Sequence, residues 1–309
     1  MEGLRKVRDF FSALRVLSGS TIRGAAEGLP VVVPAPPPKI GLALGGGFAR
    51  GIAHAGVLQV LERERIPIHC ITGVSAGAIV AAAFASGTSP DEIARAGCAM
   101  RFADVASWTL CRMGFMASER MNRFLERLLK CYRFEEMLLP LGVTATDVAT
   151  GQPVDFRDTG DVFLPIRASC SYPGLFRPVS HNGRLLVDGA IGMEISSLLA
   201  RQLGATHVIA VHLPAEGDLP PSNVFQVVNR CLQILQTRTE HDWRPHSDLV
   251  IEPDTRNVQW DGFACAPELI KAGEAAAEAA LPAIRRWMPE QPAVALPQLE
   301  PIASPSTAA

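Results

Sequence analysis

Gly73-Val74-Ser75-Ala76-Gly77 decides how this chain is read. It lies between a β-like run, Ile68–Thr72, and a run of small, helix-compatible residues, Ala76–Ser86. A G-x-S-x-G sequence at a strand-to-helix junction is the setting of a nucleophile elbow, where a tight turn lifts the serine hydroxyl above the sheet. Gly73 and Gly77 lack the Cβ atoms that would collide as strand and helix cross. The positive end of the following helix would face the charge that develops when Ser75 attacks a carbonyl. Standing alone, the motif reads equally well as a turn with a serine cap on a helix.

A second glycine-rich turn, Gly45-Gly46-Gly47-Phe48-Ala49-Arg50-Gly51, follows the strand-like run Lys39–Leu44 and precedes a helical pattern over Gly51–Arg65. Ile52, Ala55, Leu58 and Leu61 give that helix its apolar face. Glycines allow successive backbone N–H groups to point outward together, and a helix start adds its dipole, so such a turn cradles an anion. A dinucleotide-phosphate loop needs G-x-G-x-x-G and a later acidic residue. Glycines at 45, 46, 47 and 51 do not fit that spacing, and a P-loop Lys-Ser pair is absent. Ahead of an elbow serine, an oxyanion hole is the better reading. The third piece is Asp188-Gly189-Ala190, which ends the β-like run Arg184–Val187. Asp-Gly by itself is a hairpin turn. In company with the other two turns, Asp188 is the candidate base.

These motifs in this order resemble the patatin-like phospholipase family, and most of all its compact bacterial branch. Two intervening stretches strengthen the resemblance: Val143–Gly151, similar to the family's central strand and turn, and Ala168–Val179, similar to the segment before its catalytic aspartate. The likeness spans roughly residues 39–288. It implies a Ser–Asp dyad acting without a histidine, with Ser75 as nucleophile, Asp188 as general base, and the amides of Gly46, Gly47, Phe48, Ala49 and Arg50 as the oxyanion hole. Gly45, Gly51, Gly73, Gly77 and Gly189 would support the turns. It implies lipid esters, phospholipids or lysophospholipids, as substrates. Two departures stand out. Phe48 replaces a small residue, and a phenylalanine adopts positive φ only at a cost. Ile191-Gly192-Met193-Glu194-Ile195 stands where the family has an asparagine-proline turn.

Two rival readings remain. A patatin-like fold that has lost activity and serves as an interaction protein is favoured by Phe48. A Ser-His-Asp esterase needs a histidine after the acid, and His212 and His241 satisfy that order. His212, however, ends the apolar run His207–Leu213, while His241 and His246 lie in a polar segment. His54, on the helix after the glycine turn, suits a structural hydrogen bond. There is no H-E-x-x-H and no Cys-x-x-Cys pair, so neither a metal nor a cofactor is expected.

Bulk properties fit an ordinary enzyme. The 309 residues carry a formal net charge of −2, which argues against a nucleic-acid partner. Seven cysteines without framework spacing suggest free thiols and a cytoplasmic location. No run approaches the roughly 18 apolar residues of a membrane span, and no secretory signal opens the chain. The expected fold is three-layer α/β/α around a mainly parallel sheet. Its strands are expected at Ile40–Leu44, Ile68–Thr72, Leu141–Thr146, Leu185–Val187 and Val208–Leu213. Residues 1–38 read as an amphipathic arm and Pro-rich linker, with peripheral membrane docking or packing on a domain or second subunit as its uses. Residues 39–288 read as the hydrolase domain and 289–309 as a disordered tail. Segment 97–117, crowded with Met, Phe and Trp, reads as a buried connector or as a lid. Oligomeric state is not legible.

Overall fold

The computed structural model describes residues 37–111, 113–214 and 224–288. The chain divides after Pro36. The expected arm up to that point and the expected tail lie outside the described residues.

The sequence alternates buried apolar strands with helices, and the fold follows from that alternation. Strand β1 (Ile40–Leu44) leads through the glycine turn into helix α1 (Ala53–Arg63). Strand β2 (Ile68–Val74) passes through Ser75 into α2 (Ala76–Ala85). Helix α3 (Pro90–Ala99) begins with a capping box between Ser89 and Glu92, with proline in the first turn. Next come a short antiparallel hairpin, β3 (Ser107–Cys111) and β4 (Gly114–Ala117), and then helix α4 (Glu119–Leu128). Strands β5 (Leu141–Asp147) and β6 (Pro153–Phe156) are followed by helix α5 (Phe163–Ser169). Strands β7 (Val179–His181) and β8 (Arg184–Val187) form a hairpin ahead of α6 (Ser197–Gln202). Strand β9 (His207–Val211), helix α7 (Val224–Arg238), strand β10 (Leu249–Ile251) and helix α8 (Ala266–Arg285) complete the described chain.

The main sheet has the order β10-β9-β1-β2-β5-β8-β7, with β6 also paired to β5. The pairs from β10 to β5 are parallel; those joining β5, β6, β7 and β8 are antiparallel. Side chains alternate across it as strand geometry requires. Leu42, Leu44, Ile209 and Val211 enter the large core beneath α1, α2, α3, α4 and α8. Ala43, Cys70, Val208 and Ala210 face the other way, against Ala200 of α6 and Trp243. That second face is lined by small residues, so α6 approaches closely. The Met121–Leu128 stripe of α4 is core.

The segment 97–117 is more regular than the expected connector. It holds the end of α3, a single helical turn at Phe102–Val105, and the β3–β4 hairpin. Met116 is buried, while Met113 and Phe115 of the same hairpin are exposed. The pairing of Trp108 with Met116 imposes alternation that the composition alone concealed.

Register brings the three sequence motifs together. Leu44, Val74 and Val211 end neighbouring parallel strands at the same edge of the sheet. Val74 pairs with Thr144 of β5, and Thr146 of β5 pairs with Val187 of the antiparallel β8. Counting one residue on from each, Ser75 and Asp188 reach the level of Ala145 from opposite sides of β5.

Candidate active site

Ser75 occupies the turn between β2 and α2 with φ 54° and ψ −124°, a conformation that L-residues avoid. Two contacts hold it there. The Ser75 amide donates to Ser169 Oγ at 2.7 Å, and Ser169 Oγ–H donates to the Thr144 carbonyl at 2.7 Å. The elbow is thus tied through one hydroxyl to the strand beside it. Gly77 is required for close approach, because a Cβ there would strike the carbonyl oxygens of Leu44 and Gly45.

Ser75 Oγ–H donates to Asp188 Oδ2 at 2.7 Å, with no residue between them. Asp188 Oδ1 accepts from the Ala190 amide at 3.0 Å. The Asp188 carboxyl is 1 % exposed. Burial is the largest influence on it and pushes its pKa up to about 7; the hydrogen bonds from Ser75 and Ala190 pull the other way without cancelling it. The main chain at Asp188 is anchored by the Thr146 hydroxyl, which donates to the Asp188 carbonyl at 2.9 Å and accepts from the Gly192 amide at 3.0 Å. This anchor stands where the departure from the asparagine-proline turn lies. Gly189 lies against the Thr144 carbonyl, leaving no room for a side chain.

The glycine turn supplies fewer open donors than expected. The Ala49 amide donates to the Trp260 carbonyl and the Arg50 amide to the Gly47 carbonyl, each at 3.0 Å. These two residues of the expected oxyanion hole are therefore spent on holding the turn. The amides of Gly46, Gly47 and Phe48 donate to no group among the described residues. Phe48 does take a positive φ, 51°. Its ring is clamped edge-on between Tyr172, at 4.9 Å, and Trp260, at 5.2 Å, and such aromatic contacts offset backbone strain of about 1–3 kcal/mol. Arg50 is buried, with Nη1 donating to the Pro214 carbonyl, and burial lowers its pKa to about 10.

The histidines lie apart from this pair. His54 Nε2–H donates to the Gly45 carbonyl at 2.9 Å, and burial lowers its pKa to about 4, so it is a neutral brace for the turn. His212 lies between Glu194 and Glu252, at 3.3 and 3.2 Å. His241 is exposed beside Asp242. None of them lines the cavity over Ser75, which is bounded by Gly46, Gly47, Phe48, Ser75 and Asp188. Asn229, Gln233 and Gln236 of α7 line it as well. Its volume is about 40 Å³.

A serine and a buried carboxyl thus stand in direct contact, with open glycine-turn amides beside them. The family model of patatin-like phospholipases matches residues 42–197, half of the sequence, and takes in all three turns. The chain belongs to the patatin-like phospholipase family. Similar curated relatives of this patatin-like chain include the lysophospholipase NTE1 of Debaryomyces hansenii, 31% identical over 229 residues, and that of Meyerozyma guilliermondii, 29% identical over 228. These alignments cover 72% and 71% of the chain but 14% and 15% of the relatives, so the chain spans about one seventh of their length. Among solved structures it is similar to VipD from Legionella pneumophila, with TM-score 0.48 and 14% identity over 81% of this chain and 67% of that one. The ExoU–SpcU complex of Pseudomonas aeruginosa gives TM-score 0.44 and 16% identity over 82% and 53%.

Sequence reasoning assigned no role to Ser169 or Thr146. Both are hydroxyl residues at buried positions among apolar neighbours, and that was the available signal: a buried hydroxyl finds a backbone partner.

Proposed function

We propose that this chain is a serine acyl hydrolase that removes ester-linked acyl groups from phospholipids or lysophospholipids. The observation that carries the proposal is the direct 2.7 Å hydrogen bond from Ser75 to the buried Asp188. The family membership and the lysophospholipase relatives support the lipid substrate class.

The chemistry follows from the geometry. Ser75 Oγ attacks the ester carbonyl as its proton passes to Asp188 Oδ2. The carbonyl oxygen takes up negative charge, which the amides of Gly46, Gly47 and Phe48 receive. The N-terminal end of α2 lowers the cost of that charge further. Collapse expels the alcohol, which leaves with the proton from Asp188, and an acyl-Ser75 ester remains. Water then enters, gives a proton to Asp188, attacks the acyl carbon and releases the fatty acid, and the proton returns to Ser75. An ordinary aspartate near pKa 3.9 is a weak base for this work. Burial to about 7 brings Asp188 close to the operating pH, where general-base catalysis is most effective.

The preference for a dyad over a Ser-His-Asp arrangement rests on Asp188 occupying the hydrogen-bonding position at Ser75 that a histidine would need. Free thiols at Cys70, Cys98, Cys131, Cys170, Cys231 and Cys265 support action in a reducing compartment, the cytoplasm. Among the described residues no helix is long and apolar enough to cross a membrane.

A fluorophosphonate probe tests the reading. Folded wild-type protein is expected to be labelled, and Ser75→Ala to remain unlabelled. Absence of labelling in folded wild type, both alone and with lipid vesicles present, would leave the inactive interaction protein as the better account.

A further inference from the structure

Helix α7 is inside out. Its fifteen residues include Val224, Val227, Val228, Ile234 and Leu235, all exposed, Val224 to 79 % and Leu235 to 56 %. Cys231 is exposed among them. At helical spacing these six fall within an arc of about 120°. The polar residues Asn229, Gln233 and Gln236 lie on the opposite arc and line the cavity above Ser75. A surface helix ordinarily buries its apolar stripe and shows its polar one to water. Here the polar stripe covers the candidate catalytic centre and the apolar one is left outside.

Two further observations give this arrangement a use. First, the cavity under α7 measures about 40 Å³, which holds about three waters and no acyl chain. If the site acts on lipids, its cover must move. Two contacts that hold the cover are one hydrogen bond and one apolar packing: Tyr172 Oη–H donates to Asn229 Oδ1 at 2.9 Å, and Leu232 packs against the cluster of Met116, Tyr172 and Phe176. Secondly, α7 contains Arg230 and Arg238 and no acidic residue. An apolar stripe flanked by arginines without carboxylates is the make-up of a helix that lies in the interface of an anionic lipid surface. The β3–β4 hairpin, packed into the same aromatic cluster through Met116, leaves Met113 and Phe115 exposed as well.

We propose that the outer face of α7 is a docking surface for anionic lipid, and that docking draws α7 off the Ser75 cavity. The cover and the docking element are then one helix. Contact with lipid breaks the Tyr172–Asn229 hydrogen bond and opens the site where its substrate lies. This inference rests on the lipid hydrolase reading, and the experiment keeps the two apart.

The test uses the full chain carrying Ser75→Ala, sedimented with vesicles of phosphatidylcholine alone or with a minority of phosphatidylglycerol. Ser75→Ala protein is expected to pellet with the anionic vesicles. Adding Val227→Ser, Ile234→Ser and Leu235→Ser together is expected to lower that partition about tenfold or more, with an unchanged melting midpoint as the control for folding. Equal pelleting of the two proteins overturns the proposal, as does failure of the parent to pellet. A fall in molar mass from dimer to monomer in the triple variant also overturns it, by showing that a second copy covers the face. A second variant, Asn229→Ala in an otherwise wild-type chain, is expected to raise turnover of a soluble short-chain ester in the absence of vesicles, because the latch is gone; lowered turnover counts against the cover. Vesicle binding with no fluorophosphonate labelling of the vesicle-bound wild type would sink the hydrolase reading and leave the docking surface standing. Labelling without vesicle binding would do the reverse.

Discussion

Replacing Asp188 by asparagine separates what this residue does for catalysis from what it costs the fold. The wild-type carboxyl is 1 % exposed and accepts two hydrogen bonds, from Ser75 and Ala190, where a carboxylate has room for about four. Its pKa near 7, against 3.8 for the unperturbed group, means that the folded state resists the charge. Below about pH 3.8 both folded and unfolded chains hold the proton and there is no penalty. As pH rises from there to about 7, the unfolded chain ionises first and stability falls; above 7 the loss is complete and level. The full penalty, about three pH units, is about 4 kcal/mol, of which about 3 kcal/mol develops between pH 5 and 8. Asparagine keeps the oxygen that accepts from Ala190 and carries no charge. Asp188→Asn should therefore melt above wild type at pH 8, with the gap about 5–10 °C larger than at pH 5 for a domain of this size, while esterase turnover nearly vanishes. Thermal melts of both proteins at the two pH values measure it. A gap that does not change with pH would show that Asp188 does not titrate near neutrality, and the argument for its basicity would fall with it.

The same titration should appear in the rate: kcat/KM for a soluble ester rises about tenfold per pH unit up to about 7 and then levels, and a profile flat from acid to neutral pH contradicts it. Ser75→Gly and Ser75→Ala both lose the hydrogen bond to Asp188 and should both abolish turnover, but only glycine relieves the strained φ of 54°, so Ser75→Gly should be the more stable of the two by about 1 kcal/mol in urea titration; an alanine variant as stable as the glycine one would mean the turn is not strained. Gly77→Ala drives a Cβ against the Leu44 and Gly45 carbonyls and should cost about 2–3 kcal/mol by the same titration, so an unchanged midpoint would refute the close approach. His212→Ala should leave ester turnover within about threefold, since its ring is held by Glu194 and Glu252; a loss of about a thousandfold or more would restore the histidine triad.

The central strands were legible because each is a largely buried run of aliphatic, small and β-branched residues, as in Ile40–Leu44 and Leu141–Asp147. The short elements were not. β7 and β10 have three residues apiece, too few to show a period, and β6 opens with a proline. The two turns around Ser75 and Asp188 could be recognised from glycine placement, but their meeting depends on β8 running antiparallel to β5, a property of pairing and not of local sequence. The oxyanion turn was read too generously for a similar reason. That Ala49 and Arg50 use their amides elsewhere is decided by Trp260 and Gly47, and the first of these lies more than two hundred residues downstream. The inverted polarity of α7 leaves periodicity intact, so a pattern search sees an amphipathic helix and cannot tell which side faces the protein.

The Ser169 hydroxyl that grips the elbow has a consequence for how the enzyme comes into being. The serine turn is made early in synthesis, but its clamp is 94 residues further along and its acid 113. A nascent chain that has emerged only through α4 carries the G-x-S-x-G turn without either. On the proposed mechanism, competence to attack an ester thus waits until α5 and β8 have both closed on β5, and a half-made polypeptide has neither the clamp nor the base.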